Sequence, residues 1–91
     1  MSEPTRVHVV VHGHVQGVFF RDTVRRRAVA AGVAGSVANR PDGAVEAVFE
    51  GAPDAVAKLV ELCRHGPPRA EVTGFECTQE DPQGIEGFTV R

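Results

Sequence analysis

Apolar and polar positions follow two different periods along this chain, and the changes of period mark its elements. The run Val7 to Val11, with His8 inside it and His12 after it, reads as a strand buried on at least one face. Valine is stiff at χ1 and suits a pleated surface. From about Arg21 to Ala31 the period becomes helical, with Phe20, Val24, Ala28 and Ala31 on one face and arginines on the other. Asp22 suits the positive end of the helix dipole, and Gly32 ends the helix. Gly35 to Arg40 and Ala44 to Glu50 read as strands joined by the tight turn Pro41-Asp42-Gly43. Val45, Ala47 and Phe49 alternate with Glu46 and Glu50, which predicts one dry and one wet face. Pro53 and Asp54 open a second helix with the apolar stripe Val56, Leu59, Val60 and Cys63, closed by Arg64-His65-Gly66-Pro67-Pro68. Arg69 to Thr78 is a flawed strand: Val72 and Phe75 have opposite parity, so it either bulges near Gly74 or starts late. Gly87 to Arg91 reads as a short last strand.

The order is β-α-β-β-α-β with a short extra terminal strand. Right-handed crossovers then predict an α/β (α+β) ferredoxin-like sandwich: an antiparallel or mixed sheet, two helices on one face, the other face partly open. At 91 residues the chain is expected to be one domain, residues 1–91. Fold alone does not specify chemistry.

Composition narrows the partners. Hydrophobic residues make up 42% of the chain, enough for one core. No apolar run reaches the roughly 20 residues of a membrane span, and the N-terminus has no signal pattern, so cytoplasmic residence is the expectation. A net charge of −2 argues against a general polyanion binder, and the arginines at 25 to 27 read as a solvated helix face. With no aromatic stacking partners there, a nucleic-acid role is not expected. Cys63 and Cys77 form no CxxC pair and read as half-buried free thiols. His8 and His12 share a strand face, but at ~13 Å apart they cannot share one ion, and no carboxylate or thiolate completes a set with His12 and His14. No metal site and no Ser-His-Asp or Cys-His arrangement is expected.

What remains is the stretch Gly13-His14-Val15-Gln16-Gly17-Val18-Phe19-Phe20-Arg21, between the first strand and the first helix. Two glycines free the backbone to turn consecutive N–H groups towards one point, and a helix start adds its own unpaired amides. Arg21 supplies a permanent charge and a planar fork that matches two phosphate oxygens. Asn39, on the same strand face as Gly35 and Val37, is either a turn residue or a holder of water, since an amide both donates and accepts.

Gly13-x-Val15-Gln16-Gly17-Val18-x-Phe20-Arg21, followed by Gly35-x-Val37-x-Asn39-x-x-x-Gly43-x-Val45 and Gly51, closely resembles the acylphosphatase family. The resemblance runs from the first strand to Gly66-Pro67. It implies hydrolysis of acyl phosphates without metal or organic cofactor. Arg21 would bind the phosphate and Asn39 would position water. The loop His14, Val15, Gln16, Gly17, Val18, Phe19 and Phe20 would cradle the phosphate oxygens. Small acyl phosphates would be substrates, phosphate or sulfate competitive ligands, and the chain a monomer. Ser36 departs from the aromatic residue common at its position in the family. Two rivals follow from the same residues. One is a ferredoxin-like module that senses an anion or binds RNA without catalysis. The other is the corresponding unit of a larger maturation enzyme, disfavoured by the chain's ending after its last strand and its lack of zinc-finger cysteines.

Overall fold

The computed structural model describes residues 3–91. Seven elements follow one another: β1 (Thr5–His14), α1 (Phe20–Ala30), β2 (Ala34–Asn39), β3 (Val45–Gly51), α2 (Pro53–His65), β4 (Glu71–Glu80) and β5 (Phe88–Val90). The strands form one sheet in the order β4-β1-β3-β2-β5, all pairs antiparallel except β2 with β5. This is the ferredoxin-like α+β fold, and the short last strand makes its sheet mixed.

Both helices pack on the same face. Phe20, Val24 and Ala28 from α1 join Val56, Leu59 and Cys63 from α2 over Val7, Val9, Val11, Val37, Val45, Ala47 and Phe49. These strand positions all have odd parity, so the period of two in the sequence selects the core face. Phe88 from β5 stacks on Phe49 with ring centroids 5.9 Å apart, tying the edge strand to the core.

Local signals set the helix ends. The Val33 N–H donates to the Ala28 carbonyl and Gly32 to Val29, with Gly32 at φ +69°, which is a Schellman closure. The closure leaves Ala31 exposed beyond the helix, so the expected fourth apolar position is not part of the stripe. Pro53 starts α2, and the Gly66 N–H donates to the Leu62 carbonyl at its end.

Three expectations need correction. β4 both bulges and starts late: its register shifts between Gly74 opposite His12 and Val72 opposite Gly13, and a turn between Pro67 and Ala70 delays it to Glu71. The cysteines are not alike: Cys63 is buried, which pushes its thiol up to about 12, and Cys77 is exposed. Glu50 does not sit on a wet face. It is 5% exposed, because the segment before β5 folds over it. Glu50 accepts from the main-chain N–H groups of Gln83 (2.9 Å), Gly84 (2.8 Å) and Ile85 (3.2 Å) and from Arg6 (3.2 Å). Arg6 also reaches Glu80 at 3.0 Å. The Gln83 amide above all, then Arg6 and the other two amides, hold the Glu50 carboxyl below the usual range, against the opposing effect of burial.

Elsewhere on the helix-free face, Val10 (6% exposed) and Val48 lie among polar side chains. His8 Nε2 lies 2.9 Å from the Glu46 carboxylate and His12 Nε2 2.7 Å from that of Glu76, the carboxylate oxygen accepting in each pair, so each imidazole has its own carboxylate.

Candidate active site

The segment Val15–Phe19 leaves β1, crosses the end of the sheet and enters α1. The two glycines that bracket it have different reasons to be there. Gly13 lies within β1, opposite the β4 bulge, at φ +126°, and a Cβ on it would strike the Glu71 carbonyl oxygen. Gly17, at φ +73°, has open space around it, so its backbone angle alone favours glycine. Phe19 is left-handed too, at φ +61° and ψ +22°, although it carries a side chain, and that side chain is 70% exposed. A bulky residue held in this region stores strain, a device that clusters at ligand sites.

The backbone geometry has a direct result. The first loop-to-helix bond is from the Thr23 N–H to the Phe19 carbonyl, and α1 has no side-chain cap. Among the described residues, the main-chain amides from Val15 to Asp22 have no protein acceptor. Alternating left-handed residues followed by a helix start form a concave, electropositive nest.

A cleft of about 260 Å³ opens there, lined by Val15, Gly17, Phe19, Phe20, Arg21, Asp22 and Asn39. Arg21 comes from the first turn of α1 and Asn39 from the end of β2, so two elements distant in sequence meet at one opening. Arg21 Nη1 donates to the main-chain oxygen of Arg91 at 2.7 Å, which braces the guanidinium from the β5 side. Asp22 places a carboxylate on the same cleft, but Arg26 at 3.1 Å and Arg25 at 3.8 Å offset its charge. The arginine run thus has a local partner that the sequence reading did not give it, and the i, i+3 and i, i+4 spacings were its signal.

The remaining loop residues are placed differently. His14 ends β1 opposite Glu71 and does not line the cleft. Val15, Val18 and Phe20 belong to the core, at 0%, 7% and 2% exposure, so they anchor the loop from beneath. The Gln16 side chain turns away from the cleft to the β2–β3 turn, where its Nε2 donates to the carbonyls of Arg40 (2.8 Å) and Ala44 (2.9 Å). That turn is itself stapled: Asp42 Oδ1 accepts from the Ala44 N–H at 3.0 Å, which lowers the Asp42 carboxyl, and Arg40 pairs with Asp42 at 3.1 Å. Ser36 has even parity on β2 and lies across the sheet from Asn39, beside Arg6 and Val48. Its departure from the aromatic pattern therefore concerns the helix-free face.

An acylphosphatase family model matches residues 7–90. An acylphosphatase of Haloarcula marismortui is 57% identical over 88 residues, spanning 96% of each chain. The crystal structure of an acylphosphatase from Bacillus subtilis superposes with a TM-score of 0.90 at 35% identity, covering 96% of this chain and 98% of that one. A crystal structure of T. kodakarensis HypF superposes with a TM-score of 0.80 at 32% identity over 98% of this chain, but over only 12% of the longer one.

Proposed function

The chain belongs to the acylphosphatase family, and on that premise we propose how its cleft hydrolyses the carboxyl–phosphate bond of small acyl phosphates. The phosphate sits in the nest of amides from Val15 to Phe20, with the Arg21 fork across two of its oxygens. Asn39 holds a water molecule in line with the bond to the departing carboxylate. The observation that carries this reading is the convergence of Arg21 and Asn39 on one cleft whose amides lack protein acceptors.

The chemistry needs little else. A carboxylate leaves as the base of an acid with a pKa of about 4, so no proton donor is required. Phosphoryl transfer runs through a loose transition state with charge spread over the equatorial oxygens, and positioning with electrostatics supplies most of the catalysis. The brace from Arg91 holds the Arg21 guanidinium before substrate arrives, so less ordering remains to be done on binding. Water attacks phosphorus, the P–O bond to the acyl group breaks, and the substrate phosphate takes up the proton that the water loses.

The test is multiple turnover of a synthetic acyl phosphate, with release of carboxylate and inorganic phosphate measured in equal amounts. Inorganic phosphate should inhibit competitively, and a chelator should leave the rate unchanged. Phosphate binding without sustained turnover would sink this reading in favour of a non-catalytic anion-binding module.

A further inference from the structure

The Gln16 carboxamide joins the loop to the turn that follows Asn39. Its Nε2 lies 2.8 Å from the Arg40 carbonyl oxygen and 2.9 Å from that of Ala44. Both partners can only accept, so the NH₂ end of the side chain must face them, whichever way the amide is drawn. The same two residues close the hairpin, with the Arg40 N–H donating to Ala44 at 2.8 Å and the Gly43 N–H to Arg40 at 3.1 Å. Gln16 therefore caps the pair of carbonyls that defines the turn, across 24 and 28 residues of sequence. Asn39 is the residue just before that turn, paired with Val45. Val15 and Gly17, on either side of Gln16, both line the cleft, while Gln16 itself does not.

Resting on the reading that Asn39 delivers water to a loop-bound phosphate, we infer that Gln16 is a positioning residue that fixes the loop against Asn39 and thereby the line of attack. In-line displacement tolerates little error, and a misplacement of ~1 Å costs on the order of 10²-fold in rate. The phosphate nest is built from backbone and Arg21, so it does not need the carboxamide; the register between nest and water does.

Gln16→Met keeps the length of the side chain and removes both donors. Its kcat should fall about 10- to 100-fold, while the Kd for inorganic phosphate should stay within about twofold. A parallel loss of phosphate affinity would overturn the inference, because Gln16 would then be shaping the nest. The cycle with Asn39→Ala separates the remaining outcomes: in that background Gln16→Met should change kcat by less than about twofold, since no side-chain amide is left to position. A full additive loss in both backgrounds would refute the positioning role and leave Asn39 its own. Parental kcat in Asn39→Ala alone would instead refute the reading on which the inference rests. Gln16→Glu keeps the question open to measurement if the Met variant does not fold. An ionised glutamate offers no donor to the two carbonyls and a protonated one regains a donor. Its kcat relative to the parent should therefore rise as pH falls through the new carboxyl's titration, and a flat ratio would overturn the inference.

Discussion

Two segments of this molecule gather backbone amides around a point, and they differ in what occupies the point. At Gln83 to Ile85 the occupant is Glu50, a carboxylate of the chain itself, with Arg6 and Glu80 completing an ion network. At Val15 to Asp22 the amides have no acceptor among the described residues, and Arg21 waits beside them. Both gather amide dipoles in a way that favours an anion. When the anion is covalently part of the fold, the device holds a loop down. When it must come from solvent, the same device is open to a substrate, which is the role we propose for the cleft. The two are also connected: the segment held by Glu50 leads into β5, and β5 leads to the Arg91 oxygen that braces Arg21.

The sharpest way to break the comparison is Arg21→Ala, which should abolish phosphate binding and nearly all turnover. Arg21→Lys should restore little, because a point charge does not reproduce a planar fork. Isothermal titration with phosphate beside steady-state rates checks both, and strong activity in the lysine variant would deny the fork its role. Asn39→Ala should lower kcat by on the order of 10²–10³ and spare phosphate affinity. Equal loss of both would make Asn39 part of the scaffold.

On the other side of the comparison, Glu50→Gln should lower the Tm at neutral pH and affect kcat far less than Asn39→Ala does. The pH dependence follows from sign. The folded state holds the Glu50 carboxyl below its usual value, so its contribution is complete above the unfolded pKa of roughly 4.3. It is lost as pH falls through the lower folded value. Melting curves of parent and variant should therefore converge on acidification, and a constant gap down to low pH would show that Glu50's charge is not what holds the segment. The smallest effect is Gly17→Ala. With nothing within 4 Å of the added methyl, only the backbone angle resists it, at a cost of about 1 kcal/mol. Denaturant melts would measure that cost, and phosphate affinity should drop modestly with it.

Legibility in the sequence followed distance along the chain. The valines of β1, the Gly32 closure of α1, the Pro41-to-Gly43 turn and the odd-parity core of β3 are local signals, and the elements they specify lie within a few residues of expectation. The glycine-flanked loop and Asn39 stood out as candidates because glycine spacing and side-chain type name a chemistry, and the fold brings loop residues, Arg21 and Asn39 to one cleft. Partners across tens of residues were not. Nothing near Glu50 announces that residues 83–85 will cover it, so strand alternation assigned it to water. Nothing near Gln16 names the Arg40 and Ala44 carbonyls. Phe19 gave no sign of its left-handed backbone, since propensity assigns that region to glycine and asparagine and only the surrounding loop imposes it.

The Glu50 clasp also has a meaning in time. The segment it holds has no strand or helix hydrogen bonds of its own between Glu80 and Phe88, so its protection rests on one carboxylate. Its local opening can then occur far below the free energy of global unfolding. In hydrogen–deuterium exchange the amides of Gln83, Gly84 and Ile85 should behave as one cooperative unit, slow while Glu50 is ionised and fast once it is protonated. Three neighbouring amides would read out a single proton, while β1 and β3 beneath them remain closed.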